Sequence, residues 1–424
     1  MRFYKTIYLT GFCLIVNYSF GQVDTSFQRF NLGLAEYLNR VSTNNLGYIA
    51  EKFNLSISDA GVEKAKVFQD FSLSLDYTQS KEDGSNSGYS ISSELGKTIN
   101  LAGKRRARID LALSENQLAK ALVEDYFRNL QAEAAILYME ALKQNQLLRV
   151  KIDSYQTIKK LSDADSIRFS IGNIMEIDAA QSKVEAGILL NELQQAEAEW
   201  RNALNQIALM VGNEYCDSIL FPTGSLKNTL RAFVLSDLIT SAVNNRTDLQ
   251  VAMKNKEVSQ RLLRLTRKER RMDIDLKLGL ENSYLPAGGS PAATGITAGI
   301  AIPLKLSNLN RGEIKIAQYQ IEQADILYKQ AELQVKHEVI QAYNLYIAYC
   351  KQVDSFDNGL LKNARNVKRG KIYSYERGET SLLEVLNAQR TYNEIQVAYH
   401  EALFNRAAAL VELEKAAGIW DISL

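Results

Sequence analysis

Apolar and polar residues alternate at every second position in four short segments of the chain. These segments cover residues 71–78, 89–95, 274–281 and 296–302. A period of two is typical of β-strands that have one apolar face and one polar or small face. The first two segments and the last two segments form pairs, and a stretch rich in turn-forming residues separates the members of each pair. The pattern therefore predicts two β-hairpins, at about residues 70–97 and about 273–303.

A different pattern, an apolar repeat of seven residues, follows each predicted hairpin. In the second half of the chain the repeat runs through Ile314, Ile321, Tyr328, Val335, Ala342 and Tyr349. Residues 104–171 and 313–358 contain neither glycine nor proline, which both disfavour helix interiors. The sequence predicts long helices at about 104–212 and about 310–418. They would pack as coiled coils or as an ordinary helical bundle.

The two halves of the chain repeat one another. Gly172 and Gly378 each open a similar stretch, and Gly212 and Gly418 each close it. Both pairs are 206 residues apart, since 378 − 172 = 206 and 418 − 212 = 206. Repetition at this scale indicates tandem repeats. We expect a first repeat at residues 23–221 and a second at residues 222–424.

Residues 1–22 have the features of a secretory signal peptide. Arg2 and Lys5 precede a short apolar run, and small residues follow it. The alternative is a single membrane anchor, but the run is too short to span a membrane comfortably. Cys13 lies in a poor context for lipid attachment. We therefore expect the chain to be exported.

The composition argues against several functional classes. The formal net charge is only +1, which is unsuited to a nucleic-acid surface. His337 and His400 have no cluster of Cys or carboxylate residues at ligand spacing, and no phosphate-binding loop or nucleophile elbow occurs. We expect no cofactor, no metal site and no enzymatic activity. Cys216 and Cys350 either form a disulfide or remain small apolar residues.

The predicted strands are too few to close a barrel in lipid, because an open edge leaves backbone groups without hydrogen-bond partners. Two copies would supply eight strands with little lumen, and three copies would supply twelve strands around a usable pore. We therefore expect the chain to assemble. Its long helices would continue the tube on the inner side of the membrane.

The order of these elements and several motifs resemble the TolC-like outer membrane efflux family over nearly the whole mature chain. The glycine turns carry the motifs IGNIMEIDAAQSK at residues 171–183 and ERGETSLLEVLNAQR at residues 376–390. AVNNRTDL at residues 242–249 also matches. Two motifs after the hairpins, INLAGKRRARI at residues 99–109 and IPLKLSNLNRGEI at residues 302–314, are most similar to the cobalt-zinc-cadmium branch.

The resemblance implies an α+β membrane protein, mostly α-helical, that forms a homotrimer. Three copies would build a 12-stranded β-barrel in the outer membrane and an α-helical barrel through the periplasm. Such a protein is the passive exit duct of a tripartite efflux system. Its partners would be outer membrane lipid, a periplasmic adaptor protein and an inner-membrane transporter of the RND type.

The resemblance also assigns the glycine turns to the periplasmic tip of the tube, where the adaptor docks. The tip positions are Ile171, Gly172, Asn173, Arg377, Gly378 and Glu379. The gate positions are Glu384, Asn387, Asp178 and Tyr375. Family members carry paired acidic residues at the first two gate positions, and a bond between tyrosine and aspartate at the last two holds the gate closed. Asn387 departs from this pattern, and Thr380 replaces a gate arginine for which Arg377 could substitute.

Elementary electrostatics leaves two interpretations of the acidic gate positions. Three copies of Glu384 around a narrow axis would repel one another and make a cation-selective constriction. Alternatively, Glu384 and Asp178 stabilise the first turns of their helices. Tyr77, Tyr89 and Tyr284, near strand ends, would form an aromatic girdle at the membrane surface or pack within the sheet.

Two other functions remain open at this point. The seven-residue repeats alone would also suit a periplasmic coiled-coil scaffold whose hairpins bind a partner. A duct of this kind could also serve type I protein secretion instead of efflux. Membrane fractionation separates the scaffold from the duct, and the identity of the neighbouring pump separates the two ducts.

Overall fold

The four alternating segments form strands in the computed structural model, which describes residues 28–80, 88–212, 218–284, 293–304 and 309–421. The strands are β1 (Gln28–Leu32), β2 (Phe71–Ser80), β3 (Gly88–Ile99), β4 (Ser218–Pro222), β5 (Ile274–Tyr284) and β6 (Ala293–Ala301). Both hairpins join one antiparallel sheet, in the order β2-β3-β5-β6. The predicted signal peptide, the two hairpin loops and Cys216 of the possible disulfide lie outside the described residues.

One face of this sheet is apolar, because apolar residues stand opposite one another in register. Leu73, Leu95 and Leu278 form a row across three strands. Their side chains are exposed, at 67%, 45% and 59%. Since strands alternate their faces, the residues between these positions point to the other side of the sheet.

Three tyrosines stack at one end of the apolar face. The ring centroids of Tyr77 and Tyr89 are 6.2 Å apart, and those of Tyr89 and Tyr284 are 5.0 Å apart. The opposite face is polar and carries an ion pair of 2.7 Å between Lys277 Nζ and Glu94 Oε1. The sheet therefore has the two-sided character that the alternation predicts.

Helices make up most of the remaining chain. They are α1 (Leu34–Asn44), α2 (Leu46–Lys66), α3 (Lys104–Ser170), α4 (Glu176–Met210), α5 (Leu235–Asn245), α6 (Thr247–Glu269), α7 (Arg311–Ser355), α8 (Leu361–Glu376) and α9 (Leu382–Ala417). With 67 residues, α3 extends for about 100 Å at 1.5 Å per residue. Within the described ranges, none of the helices combines the length and the apolar content that a membrane crossing requires.

Both long helices begin after two successive residues in the left-handed backbone region. Ala102 and Gly103, with φ of 60° and 71°, precede α3. Leu309 and Asn310, with φ of 48° and 53°, precede α7. The turn from sheet to helix is thus made in the same way in both halves.

Two buried tyrosines anchor the segments that connect the halves. The Tyr138 hydroxyl on α3 accepts a hydrogen bond from the Thr223 N–H at 2.9 Å and lies 2.7 Å from the Leu32 carbonyl oxygen. The Tyr346 hydroxyl on α7 accepts from the Arg231 N–H at 2.7 Å. Both side chains have no exposed surface. Each tyrosine lies in its own apolar cluster, so one connecting segment is held against the middle of α3 and the other against the C-terminal part of α7.

The second long helix is interrupted, which differs from the expected course of residues 310–418. A π-helical turn at Phe356–Leu360 separates α7 from α8. Within it, Gly359 has φ 119°, a value that other residues rarely adopt. The Asp357 carboxylate in this turn accepts a hydrogen bond from the Tyr399 hydroxyl at 3.1 Å.

Candidate functional site at the helical tip

The two glycine turns have the same backbone structure. The Gly172 N–H donates to the Phe169 carbonyl at 2.9 Å, and the Asn173 N–H donates to the Arg168 carbonyl at 2.8 Å. This pair of bonds closes a helix C-terminus when the residue after the helix is left-handed, as Gly172 is with φ 79°.

The second turn repeats these bonds. The Gly378 N–H donates to the Tyr375 carbonyl at 3.0 Å, and the Glu379 N–H donates to the Ser374 carbonyl at 2.9 Å. Gly378 has φ 77°. No atom lies within 4 Å of a Cβ built on either turn glycine, so conformation and not crowding favours glycine there.

The surfaces of the two turns differ in chemistry. Around the first turn, Ile171, Met175 and Ile177 are 65%, 68% and 68% exposed. At the second turn, the guanidinium of Arg377 lies 4.1 Å from the centre of the Tyr373 ring. The first turn is therefore an apolar surface, and the second is a charged and aromatic one.

A buried carboxylate joins the helices just above the turns. Asp165 of α3 has no exposed surface, and it accepts a hydrogen bond of 3.0 Å from the Tyr375 hydroxyl of α8. Arg168 lies one turn further along α3, with its guanidinium 3.7 Å from the same carboxylate. Arg168 also donates to the Glu376 carbonyl at 3.0 Å. These contacts hold the ends of α3 and α8 together.

Burial changes the acid–base properties of this pair. It raises the pKa of the Asp165 carboxyl above its ordinary value, although the Tyr375 and Ser182 hydroxyls and Arg168 oppose the shift. Burial, together with the neighbouring Asp165, raises the pKa of Tyr375 to about 12. The tyrosine is therefore protonated at neutral pH and acts as the donor.

The partner of Tyr375 differs from the expected one. The family resemblance pairs this tyrosine with Asp178, whereas the structure pairs it with Asp165. Asp178 lies in the first turn of α4, half-buried, where its negative charge also raises the pKa of Asp165. The spacing of the seven-residue repeat contains a signal for the true partner. Ile158, Leu161 and Asp165 follow the spacing of a buried helix seam, which places a carboxylate where an apolar residue is expected.

Glu384 has two partners within its own chain. Its Oε2 atom accepts hydrogen bonds from the Lys371 ammonium of α8 and, at 2.6 Å, from the Thr380 hydroxyl. These two bonds lower the pKa of the Glu384 carboxyl. Asn387 follows one turn later on the same face of α9 and is exposed.

A third polar contact holds α8 further from the glycine turns. The Lys368 ammonium lies 3.4 Å from the Asp153 carboxylate of α3 and 4.6 Å from the centre of the Tyr392 ring of α9. Lys368, Lys371 and Tyr375 share one face of α8, since they are spaced by three and four residues. Polar side chains on this face therefore join α8 to both α3 and α9, in addition to the apolar packing of Tyr375 and Ile372.

Among the residues that the structure describes, no three His, Cys, Asp or Glu side chains are grouped so that they could hold a metal ion. His337 is exposed on α7, and His400 is half-buried on α9.

Comparisons with known proteins agree with this architecture. Residues 238–419 match the family model described as outer membrane efflux protein. The chain is 22% identical over 387 residues to the cobalt-zinc-cadmium resistance protein CzcC of Cupriavidus metallidurans, covering 91% of this chain and 90% of CzcC. Residues 238–419 therefore carry the outer membrane efflux protein domain, and the chain as a whole is similar to the TolC-like outer membrane efflux family. Members of this family are outer membrane efflux channels, which are transport ducts and not enzymes.

Solved structures of the family have the same fold. The CmeC outer membrane channel of Campylobacter jejuni is similar with a TM-score of 0.75 and 15% identity, covering 91% of this chain and 85% of CmeC. The outer membrane protein VceC of Vibrio cholerae gives a TM-score of 0.71 and 19% identity, covering 91% of this chain and 96% of VceC. The fold of this chain is therefore similar to that of these outer membrane proteins over 91% of its length.

Proposed function

We propose that this chain forms, as a homotrimer, the passive exit duct of a tripartite efflux system. The observation that carries the proposal is the four-stranded sheet. Its apolar face is exposed, and in the described part of the chain β2 and β6 each have an unpaired edge. Unpaired backbone groups and exposed leucines are costly on one isolated copy. Three copies that pair β6 with the next β2 would close twelve strands with the apolar face toward lipid.

The helical layer below the sheet has matching open edges. The helices lie side by side in the order α2-α3-α6-α7, so α2 and α7 form the two outer edges. On α2, Leu46 and Phe53 are seven residues apart and 68% and 62% exposed. On α7, four exposed residues are each seven apart: Tyr319, Ile326, Leu333 and Ile340. Such repeats predict that both faces pack against another helix.

A row of polar contacts indicates which parts of these two edges lie at the same height, meaning the same position along the axis of the proposed tube. The contacts are Asp59–Asn116 at 2.7 Å, Gln117–Lys254 at 3.2 Å and Lys256–Asp325 at 2.6 Å. The row crosses all four helices, and Ile57 and Ile326 lie beside its two ends. A rotation about the tube axis preserves height. Ile57 of one copy would therefore meet Ile326 of the next copy.

The tip suits the periplasmic end of such a duct. Docking of a periplasmic adaptor is proposed at Ile171, Gly172, Asn173, Arg377, Gly378 and Glu379. The bond between Tyr375 and Asp165 would hold the entrance closed, with Glu384 and Asn387 beside it and Asp178 nearby. The inner-membrane transporter, proposed to be of the RND type, would select the cargo. The likeness to CzcC makes cobalt, zinc and cadmium ions the first cargo to test.

Cysteine cross-linking tests the assembly directly. The variant Ile57→Cys with Ile326→Cys, in a background without Cys216 and Cys350, should give a covalent trimer in outer membranes under oxidising conditions. A control pair, Ile57→Cys with Val367→Cys, places the second thiol on α8 and should give monomers. The trimer should also conduct ions in planar bilayers. A monomer that stays in the periplasmic fraction would contradict the proposal and favour a scaffold.

A further inference from the structure

In the folded chain the Glu384 carboxylate is masked, meaning that a positively charged side chain is paired with it. Lys371 reaches it from α8 and Thr380 reaches it from the turn, so both partners come from the same helical hairpin as Glu384. The pair therefore forms within each copy and does not depend on assembly. The Lys371 side chain is 42% exposed and the Glu384 side chain is 50% exposed, so both charged groups contact solvent.

Of the other acidic groups at the gate positions and beside them, Asp178 is half-buried in the first turn of α4. Asp165 is buried and bound by Tyr375, with Arg168 beside it. Position 387, one turn after Glu384, carries an uncharged amide. Three copies of the pair would place three carboxylates and three ammonium groups together, with a net charge of zero. A ring of three unmasked carboxylates would instead attract cations and exclude anions.

We infer that Lys371 is a specificity-determining residue, which cancels the charge of Glu384 and leaves the duct entrance weakly selective between cations and anions. This inference rests on the proposed function, because it needs Glu384 at the entrance of a conducting trimer. It differs from the cation-selective constriction that the sequence predicts from Glu384 alone. Loss of either partner should shift the selectivity, in opposite directions.

Reversal potentials in a KCl gradient across a planar bilayer test the inference. Lys371→Gln should raise the ratio of potassium to chloride permeability by about threefold to tenfold, because three carboxylates become unmasked. Glu384→Gln should lower the ratio below that of the unmodified protein, because three ammonium groups remain. The double variant should return to the starting ratio. Lys371→Arg keeps the charge and should also keep the ratio.

Matched controls separate this inference from the proposed function. Lys362→Gln removes the same charge from the exposed upper part of α8 and should leave the ratio unchanged. All variants are also recorded in a Tyr375→Phe background, which loosens the tip, so that a closed entrance does not silence the currents. A conducting trimer whose selectivity is unchanged by Lys371→Gln would overturn the role of Lys371 alone. Absence of conduction in both backgrounds would overturn the duct itself, and this inference with it.

Discussion

The two long arms of the chain end in the same turn but are built differently above it. The first arm, α3 and α4, contains a helix of 67 residues without interruption. In the second arm, α7 to α9, the corresponding helix breaks after 45 residues at the turn that contains Gly359. The second arm therefore has a short separate segment, α8, next to the tip.

The same contrast appears in how each arm is held. In the first arm, Ile158 and Leu161 of α3 and Ala186 and Leu189 of α4 are buried in an apolar cluster. The cluster also contains Leu382, Val385 and Leu386 of α9. Within α8, all of which the structure describes, Tyr375 alone is buried. Tyr375 and the partly buried Ile372 are the residues of α8 that pack on this cluster, and Lys368, Lys371 and Tyr375 add polar contacts. Elements with few buried apolar contacts open at lower free energy, so α8 should be the part of the tip that moves.

Replacement of Asp165 should have the largest effect on the difference in stability between α8 and the first arm. Asp165→Ala leaves the Tyr375 hydroxyl without its acceptor and Arg168 without its nearby carboxylate. Loss of a buried, charge-assisted hydrogen bond costs about 1.5–3 kcal/mol. Amide hydrogen exchange in α8 should therefore become about tenfold to 100-fold faster, while exchange in α4 changes little.

A matched variant on the first arm sets the scale. Glu192 of α4 forms an ion pair of 2.8 Å with Lys151 of α3, and its side chain is 43% exposed. Glu192→Ala should change exchange in either arm by less than about fivefold, because exposed ion pairs contribute at most about 1 kcal/mol. Equal acceleration of both arms by Asp165→Ala would show that they do not differ in the way proposed.

The break at Gly359 provides the next test. Gly359→Ala introduces a side chain at φ 119° with no atoms nearby to clash, so the cost comes from the backbone alone. We expect a loss of about 1–3 kcal/mol in the stability of the second arm. Thermal unfolding of the protein, followed by helical circular dichroism, measures this loss.

Gly370 supplies the control, because it lies within regular helix α8 and also has open space around its Cβ position. Gly370→Ala should stabilise α8 by about 0.5–1 kcal/mol, the usual gain of alanine over glycine inside a helix. The two substitutions are chemically identical and should have opposite signs. If both stabilise the arm, residue 359 can become helical without cost, and the break has no structural role.

The amino-acid pattern predicts some parts of this molecule and not others for physical reasons. Strand alternation and the turn glycines are local, so both hairpins and both tips follow from the sequence. The pairing of β3 with β5 is a contact between distant segments, and nothing local specifies it. The helix break at Gly359 also cannot be predicted from the sequence, because Gly187 and Gly370 remain helical in the same arms.

The tip contacts show the same limit. A carboxylate at a seam position marks Asp165 as unusual, but only the structure shows that Tyr375 of another helix meets it. The pairing of Lys371 with Glu384 spans the tip turn, over 13 residues. The sequence places both residues near the tip, yet it cannot decide whether their charges cancel. Side-chain geometry across a turn decides that question.

The smallest effect, and the most specific, should be the pH dependence of α8. Burial raises the pKa of Asp165 above 3.8, so the part of its contribution to stability that depends on its proton is complete at pH values below about 4 and is lost as pH rises through the raised pKa. Glu384 has the opposite sign, because Lys371 and Thr380 lower its pKa from 4.5. Its contribution is lost as pH falls through that lowered pKa.

Protection of α8 against hydrogen exchange, corrected for the intrinsic rate at each pH, should therefore be greatest near pH 4 and decline on both sides. The groups facing Asp165 are Tyr375, Ser182, Arg168 and Asp178, and of these Tyr375 stays protonated with a pKa of about 12. Asp165→Asn should abolish the decline toward neutral pH and keep the decline toward low pH. Glu384→Gln should do the reverse. A profile that neither substitution alters would mean that α8 is held by its apolar contacts after all, as the first arm is.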